Sequence, residues 1–359
     1  MTEHNDALSL DALLSSWDGE EIVLRCDRAT GATIIIAIHS TRLGPAAGGT
    51  RVKTYATVEE AIYDAQRLAE GMTFKFAAAG LSRGGGKAVI AIPPGLVASA
   101  RDDLLRNYGV LIHQLGGLFA CGADVGTSAR DMDIIAETGD PYVFGKTPER
   151  GGSGDPSPAT AHGVLAGMKA TCARLFGSDA LAGRRVLVQG VGKVGYPLLR
   201  LLLEEGAELI CSDVDAAACE RMRTELGVAV VPTEEVYDAA CDIFSPCALG
   251  AILNTETIPR LRCRAIVGSA NNQLATPEDA QRLRERDILY APDFVVNSGG
   301  AIYLIGREVL GWSEQQTLEH ITTSVHDTLT QVYALADEQG IATNTAAERL
   351  ARQRIAGAG

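Results

Sequence analysis

The stretch RRVLVQGVGKVGYPLLRLLLEEGAELICSD, residues 184–213, decides the fold. It reads as an apolar strand, a glycine-rich turn, a helix and a second apolar strand, which is the order of a parallel sheet. Gly190, Gly192 and Gly195 form a GxGxxG pattern, whose glycines permit a tight turn, close approach of backbone to a pyrophosphate, and tight helix–strand packing. The pattern arises often by chance in a chain with 39 glycines, but here it follows a strand and opens a helix. The stretch therefore predicts a Rossmann-type, doubly wound dinucleotide-binding domain.

The last residue of this stretch indicates which dinucleotide is bound. Asp213 follows the second strand roughly twenty residues after the glycines, where a carboxylate accepts hydrogen bonds from the adenosine ribose. Its charge would repel a 2′-phosphate, and no Arg or Lys follows until Arg221. We therefore expect the cofactor to be NAD. The loop residues expected to hold it are Gly190, Val191, Gly192, Lys193, Val194 and Gly195.

The regions on either side of this stretch predict the domain boundaries. Downstream, the apolar segments VAVV (228–231), DIFSPC (242–247) and RAIVGSA (264–270) continue the alternation of strands and helices. Upstream, ERGGSGDPSP (149–158) is dense in Gly, Pro and Ser and predicts a linker or hinge. We expect a substrate and oligomerisation domain over residues 1–148, a Rossmann domain over 149–342, and a last helix over 343–359 that returns to the first domain.

The first third of the chain mixes strand and helix signals. IVLRCD (22–27) and ATIIIAIHS (32–40) flank a turn and predict paired strands. Thr57 and Glu60 match a capping box before apolar residues at helical spacing. If that helix continues past Gly71, Met72 and Lys75 share a face. The predicted fold class is therefore α/β in both domains.

Composition excludes several classes of function. The 359 residues carry a net charge of -13, which opposes binding to nucleic acid or to an anionic membrane. No stretch of eighteen apolar residues occurs, and the N-terminal MTEHNDALSL lacks a basic region and an apolar segment, so we expect a cytoplasmic protein. The eight cysteines show no CxxC and no cluster with histidine, so neither disulfides nor a metal site are predicted.

Two lysines and a carboxylate suggest the chemistry. They are Lys75 in GMTFK, Lys87 in SRGGGK and Asp124 in CGADVGT. Two cations held near each other could bind a carboxylate with one ammonium and lower the pKa of the other until it acts as a base. SRGGGK is not a phosphate loop, because its first glycine is missing and Ala88 replaces the magnesium-binding hydroxyl. The pattern favours an amino acid or an oxo acid as substrate.

Nine segments resemble, in order from about residue 20 to 355, the amino acid dehydrogenases of the glutamate, leucine, valine and phenylalanine family. They are LGPAAGGTR (43–51), GMTFK, GGGK, DVGT, GGSGDPSPATAHG (151–163), QGVGKVG, SPCALG (245–250), SANNQ (269–273) and APDFVVNSGG (291–300). The resemblance implies NAD-dependent, reversible oxidative deamination of an L-amino acid to its 2-oxo acid and ammonia. It further implies a cleft between the two domains and a homo-oligomer assembled largely through the first domain.

The resemblance assigns roles to particular residues. Lys75 matches the lysine that holds the substrate carboxylate, Lys87 the lysine that activates water, and Asp124 the acid that passes protons to and from the nitrogen. Gly48, Gly49 and Met72 are expected beside the substrate. Asn271 or Asn272 would orient the substrate amine and the nicotinamide, and which does which stays open. Further cofactor contacts are expected from Thr160, Cys247, Ala248 and Asn297.

Two small residues favour a large apolar side chain in the substrate. Gly122 and Ala301 stand where relatives with aliphatic substrates carry larger residues, and both choices would enlarge the pocket. The segment GAIYLIGREVLGWSE (300–314) is similar to actinobacterial phenylalanine dehydrogenases, whereas GDPSPATAHG and SANNQLA are similar to the leucine and valine enzymes. No receptor for an acidic side chain is evident. We expect phenylalanine, with leucine or valine as the alternative.

Two other functions stay open from the sequence. A catalytically silent NAD-binding regulator would keep the fold, although intact Lys75, Lys87 and Asp124 argue against it. A hydroxy-acid dehydrogenase would need a histidine paired with a carboxylate, and no such pairing is visible. The remaining candidates are expected to be structural bystanders, namely His113, His162, His320, His326 and Cys121.

Overall fold

The computed structural model describes residues 9–358 and divides the chain into two compact units. Unit 1 comprises Met1–Gly154, Glu308–Leu310 and Arg354–Gly359, and unit 2 comprises Asp155–Arg307 and Gly311–Gln353. The N-terminal residues 1–8, on which the expectation of no export signal partly rests, lie outside the described residues. Within residues 9–358, no helix is both long and apolar enough to cross a membrane.

Unit 1 is built on a five-stranded sheet with the strand order β1-β2-β4-β3-β5. Its strands are β1 Glu21–Asp27, β2 Ala32–Ser40, β3 Ala46–Lys53, β4 Gly84–Ala91 and β5 Phe119–Ala123. β1 pairs antiparallel with β2, as the sequence predicts, and β2 pairs antiparallel with β4. β3 lies between β4 and β5 and is parallel to both, so the carboxyl ends of these three strands meet at one edge of the sheet.

Helices cover both faces of this sheet. They are α1 Leu10–Ser16, α2 Val58–Ala78, α3 Ala98–Gln114 and α4 Ala129–Gly139. Successive residues of β2 face opposite ways: Ile34 and Ile36 join the core beneath α3 and α4, while Ile35 joins the core beneath α2. α2 begins as predicted, because the hydroxyl of Thr57 accepts a hydrogen bond from the amide of Glu60.

Two short segments distant in sequence complete unit 1. The carboxylate of Glu308 accepts hydrogen bonds from the amides of Gly145, at 2.8 Å, and Ser153, at 2.9 Å. The Arg354 guanidinium donates to the carbonyl oxygens of Ala77, at 3.0 Å, and Ala78, at 2.8 Å. The C-terminal residues from Arg354 therefore belong to unit 1, because they satisfy carbonyls at the end of α2.

Unit 2 contains a six-stranded, fully parallel sheet in the order β11-β10-β9-β6-β7-β8. The strands are β6 Arg185–Gln189, β7 Glu208–Ser212, β8 Ala229–Val230, β9 Ile243–Pro246, β10 Ala265–Ile266 and β11 Leu289–Tyr290. The order runs outward in both directions from β6 and β9, which is the doubly wound Rossmann arrangement. This confirms the predicted α/β fold class.

The helices of unit 2 lie before, between and after its strands along the chain. They are α5 Ser157–Phe176, α6 Gly195–Glu204, α7 Ala216–Leu226, α8 Glu278–Glu285, α9 Asp293–Val296, α10 Gly299–Leu304, α11 Glu314–Gln339 and α12 Thr343–Ala356, whose last residues, from Arg354, belong to unit 1. Leu187, Phe244 and Ile266 from adjacent strands lie in one buried apolar cluster. The turn between β6 and α6 carries Gly190 and Gly192 of the GxGxxG pattern, and Gly195 is the first residue of α6.

Candidate active site

The structure brings Lys87 and Asp124 together in unit 1. Lys87 lies within β4 and is only 4% exposed, while Asp124 directly follows β5. Lys87 Nζ lies 3.0 Å from Asp124 Oδ2. The two residues reach each other because the strand between them, β3, presents Gly49 at this level.

The glycines of GGTR are required by these contacts. A Cβ on Gly49 would lie 2.8 Å from Asp124 Cβ and 3.1 Å from Lys87 Nζ, so any side chain here would push the ion pair apart. A Cβ on Gly48 would lie 1.9 Å from the carbonyl oxygen of Gly86 in the neighbouring strand. Close packing of β3 against β4 and Asp124 thus explains both glycines.

Arg51 is a member of this site that the sequence analysis missed as a functional residue. Its Nε donates to Asp124 Oδ2 at 2.9 Å, and its Nη1 donates to Asp64 Oδ2 at 2.9 Å. The sequence spacing does indicate this position: Arg51 follows Gly49 by two residues, and alternate residues of a strand such as β3 lie on the same face. Asp64 lies on α2, and nothing in the sequence pairs it with Arg51.

The pKa of Lys87 is lowered, as expected, but by burial and by Arg51. Burial is the largest influence on Lys87 and lowers its pKa, the Asp124 charge opposes this, and the Arg51 charge lowers the pKa further. Burial acts to raise the pKa of Asp124, but attraction to Lys87 and Arg51 outweighs it and holds that pKa below its usual range. The cation that acts on Lys87 in this way is Arg51, whereas the sequence predicts Lys75 in that role. The site therefore keeps a carboxylate ionised beside a lysine that releases its proton more readily than usual.

Lys75 lies in the last turn of α2, and Met72, in the turn before it, is partly exposed. This end of the helix packs directly on β4, because a Cβ on Gly85 would lie 2.1 Å from the backbone nitrogen of Thr73. The close approach places the last turn of α2 over the beginning of the strand that carries Lys87.

Gly122, predicted from the sequence to enlarge the substrate pocket, lies against the ring of Phe144. A Cβ on Gly122 would lie 2.2 Å from Cε2 of Phe144, so the ring of Phe144 already fills that space. Phe144 is held there by a hydrogen bond from its amide to the Cys121 carbonyl at 2.9 Å. Gly122 therefore adds no open volume of its own at this point.

The glycine-rich turn of unit 2 has the geometry of a pyrophosphate loop. Gly190 has φ +95°, a Cβ on Gly195 would lie 1.9 Å from the Gly190 carbonyl oxygen, and Gly192 faces open space. These are the tight turn, the close helix packing and the exposed backbone that the pattern implies. Asp213 closes the loop, because its Oδ2 accepts a hydrogen bond from the Val191 amide at 2.8 Å.

A cluster of amides in unit 2 offers further contacts for a dinucleotide. Asn297 is 7% exposed and its Nδ2 donates to Asn271 Oδ1 at 2.9 Å. Its own Oδ1 is buried and has no hydrogen-bond partner among the described residues. A buried acceptor of this kind fits a donor from a bound group, such as the carboxamide of nicotinamide. Asn272 adopts φ +51°, in the left-handed region that asparagine enters more readily than most residues.

Other predicted cofactor residues lie around the glycine loop or at α5. Ala248 is in close contact with Gly190, since a Cβ on Gly190 would lie 2.8 Å from Ala248 Cβ. The Cys247 amide donates to the Gln189 carbonyl at 2.7 Å. Thr160 lies on α5 and packs against the start of α10, the helix that also carries Ala301.

The bystander residues have no arrangement that suggests catalysis. The Cys121 thiol is fully buried, and burial raises its pKa to about 12, so it stays protonated and unreactive. Burial lowers the pKa of His162. No group of three or more potential metal ligands occurs among residues 9–358.

Comparison with known proteins identifies the family. Residues 21–140 match the family model described as the Glu/Leu/Phe/Val dehydrogenase dimerisation domain, and residues 151–223 and 214–359 match that of Glutamate/Leucine/Phenylalanine/Valine dehydrogenase. The chain is 45% identical to leucine dehydrogenase from Geobacillus stearothermophilus, over 97% of this chain and 94% of that protein. It is 43% identical to phenylalanine dehydrogenase from Bacillus thermotolerans, over 94% and 88%.

A solved structure shows the same fold. L-tryptophan dehydrogenase from Nostoc punctiforme superimposes with a TM-score of 0.87 at 39% identity, covering 97% of this chain and 99% of that one. The family models together span most of the chain, and these relatives are 39–45% identical to it over nearly its whole length. The chain therefore belongs to the Glu/Leu/Phe/Val dehydrogenase family and is an amino acid dehydrogenase.

Proposed function

We propose that the chain catalyses the NAD-dependent oxidative deamination of a bulky apolar L-amino acid, with phenylalanine as the leading substrate. In this reaction the amino acid, water and NAD⁺ give the 2-oxo acid, ammonium, NADH and a proton. The observation that carries the proposal is the buried contact between Lys87 Nζ and Asp124 Oδ2 at 3.0 Å. It combines a cation of lowered pKa with an ionised carboxylate, the pair that proton transfer at an amine and at a water requires.

Three residues of unit 1, Lys75, Asp124 and Lys87, have roles in this proposal. The Lys75 ammonium binds the substrate carboxylate. The Asp124 carboxylate takes a proton from the substrate amino group and later returns one to the departing nitrogen. Lys87, which loses its proton readily because it is buried, accepts a proton from the water that attacks the imine carbon. The bound cofactor would supply the hydride acceptor.

We propose NAD over NADP because of Asp213. Its carboxylate lies at the carboxyl end of β7 and is oriented by the amides of Val191, at 2.8 Å, and Asp215, at 2.9 Å. In a Rossmann domain this is the position that meets the adenosine ribose. A fixed negative charge there accepts hydrogen bonds from hydroxyls and repels a phosphate.

Phenylalanine is supported by the small side chain of Ala301 and by the similarity of residues 300–314 to phenylalanine dehydrogenases. A second candidate substrate is leucine, because the relatives at 45% identity include a leucine dehydrogenase and because Phe144 fills the space beside Gly122. The two differ by a ring, and an apolar pocket separates such side chains by only about 1–3 kcal/mol per methylene.

We also propose that the chain assembles into a homo-oligomer through unit 1. The supporting observation is that the family model matching residues 21–140 is described as a dimerisation domain.

The test is the initial rate of NADH formation with L-phenylalanine, L-leucine, L-valine and L-glutamate. We expect phenylalanine to lead, NADP to be a poor substitute, and Lys87→Ala to abolish turnover while NADH binding persists. A higher rate with leucine than with phenylalanine would change the proposed substrate and leave the proposed mechanism unchanged. Binding of NAD without turnover of any amino acid would favour the silent regulator.

A further inference from the structure

Arg51 connects the candidate catalytic carboxylate to a second carboxylate. Its Nε and Nη1 donate to Asp124 and Asp64, each at 2.9 Å. Asp64 Oδ2 also accepts a hydrogen bond from the Tyr55 hydroxyl at 2.7 Å. Cation and anion therefore alternate from Lys87 through Asp124 and Arg51 to Asp64, and the four formal charges sum to zero.

These side chains are partly to largely withdrawn from solvent. The exposed fractions are 5% for Lys87, 24% for Asp124, 17% for Arg51 and 13% for Asp64. Ion pairs at this depth are screened less by water than surface pairs. A carboxylate that lost its cation here would be an uncompensated buried charge.

We infer that Arg51, anchored by Asp64, is a positioning residue that fixes the orientation of Asp124 and keeps a permanent positive charge beside it. The inference rests on the proposed function, in which Asp124 exchanges protons with the substrate nitrogen. Lys87 cannot supply that permanent charge, since it gives up its own proton when it acts as a base. A guanidinium stays protonated at every relevant pH, so Arg51 remains cationic in every step.

The geometry also selects one oxygen of the carboxylate. Arg51 Nε and Lys87 Nζ both contact Asp124 Oδ2, at 2.9 and 3.0 Å. The other oxygen, Oδ1, takes part in neither contact, so we assign it to the substrate proton. Because Arg51 bonds through two different nitrogens to two carboxylates, rotation of its guanidinium is restricted, and the orientation of Asp124 is restricted with it.

Further charged and titratable groups lie on the elements that carry this site. On β3 and the segment after it these are Arg51, Lys53 and Tyr55, on α2 they are Asp64, Arg67 and Lys75, and on β4 Lys87. Arg67 contacts only the far oxygen of Asp64, with Nη2 at 3.0 Å from Oδ1. Removal of the Arg51 charge therefore leaves Asp124 with Lys87 as its remaining partner among these contacts.

The test compares the pH dependence of kcat/KM in wild type, Arg51→Met and Arg51→Lys. Loss of the charge should make Asp124 bind its proton more tightly and Lys87 release its proton less readily. We expect the profile of Arg51→Met to move to higher pH by about one unit or more, with lower activity at neutral pH. Arg51→Lys keeps the positive charge but cannot contact Asp124 and Asp64 through two separate nitrogens of a guanidinium. Its pH profile should therefore stay near that of wild type while kcat falls.

Arg67→Met is the matched control. It removes an arginine from the same Asp64 carboxylate, at an exposed position that does not contact Asp124. Its pH profile should equal that of wild type. An Arg51→Met profile that coincides with wild type would overturn the inference, and so would an equal shift in Arg67→Met.

A measurement without turnover separates this inference from the proposed function. The rate of Lys87 acylation by a small anhydride, followed by mass spectrometry of its peptide as pH is varied, reports the ionisation of Lys87 directly. We expect its midpoint to lie at higher pH in Arg51→Met than in wild type. If wild type oxidises no amino acid, the proposed function is wrong, and the acylation midpoint still tests the role of the Arg51 charge. An unchanged midpoint in Arg51→Met would overturn that role.

Discussion

The ring of Phe144 occupies the place of a side chain at residue 122: a Cβ on Gly122 would lie 2.2 Å from Phe144 Cε2. Phe144 is 7% exposed and its backbone amide donates to the Cys121 carbonyl, so its ring is buried against this position. The glycine and the phenylalanine thus form one packing unit beside the strand that leads to Asp124.

Gly122→Ala should therefore destabilise the protein, and Phe144→Leu should relieve much of that cost. Overpacking of this kind costs about 1–3 kcal/mol. The double variant should be more stable than the sum of the two single changes predicts, by a coupling of about 0.5–3 kcal/mol. Urea unfolding of all four proteins measures this.

The matched control is Gly71→Ala in α2, where a Cβ would meet nothing within 4 Å. Alanine in a helix interior should raise stability by about 0.5–1 kcal/mol. Additive effects of Gly122→Ala and Phe144→Leu would contradict the packing relationship.

Asp213→Asn should weaken the discrimination between NAD and NADP. The amide keeps an oxygen for the Val191 amide, which now lies 2.8 Å from the carboxylate, but removes the charge that repels a 2′-phosphate. We expect the ratio of kcat/KM for NAD to that for NADP to fall roughly 10-fold, about 1.4 kcal/mol. Asp215→Asn, which changes the cap of α7 instead, should leave the ratio unaltered. An unchanged ratio in Asp213→Asn would show that discrimination arises elsewhere.

Asp131 should contribute an acid-dependent part of the stability of unit 1. Burial acts to raise its pKa, but hydrogen bonds from Arg101 and Ser128 outweigh this and hold it below its usual range. A carboxyl with a lowered pKa in the folded state stabilises at pH above its unfolded value, about 4, and this contribution is lost as pH falls through the folded value.

Asp131→Asn should cost about 1–3 kcal/mol at neutral pH. The difference between wild type and variant should shrink as the pH is lowered below about 4. Chemical denaturation at several pH values measures this, with Asp103→Asn at a 76% exposed side chain as control. A difference that stays constant between neutral and acid pH would contradict the assignment.

The sequence predicts those features that local patterns determine. Gly190, Gly192 and Gly195 specify a turn between a strand and a helix within a few residues, and Thr57 specifies where a helix begins, so both were predictable. The contact between Arg51 and Asp124 spans 73 positions and depends on β5 lying next to β3. Phe144 reaches Gly122 only through the pairing of residues 121 and 143. Contacts of this kind follow from tertiary packing, which no local pattern encodes.

Arg354 should support the position of Lys75 from the far end of the chain. It donates to the carbonyl oxygens of Ala77 and Ala78 in the last turn of α2, the turn that also carries Lys75, and burial lowers the pKa of its guanidinium. Arg354→Met leaves those carbonyls without their charged donor, which should cost about 1.5–3 kcal/mol in stability.

If Lys75 binds the substrate carboxylate, loosening this turn should also raise KM for the amino acid several-fold, with a smaller change in kcat. Steady-state kinetics together with thermal unfolding separate the two effects, and Arg349→Met, on the exposed side of α12, is the control. A loss of stability with unchanged KM would mean that other contacts hold Lys75 in place, because the end of α2 would then have moved without consequence for substrate binding.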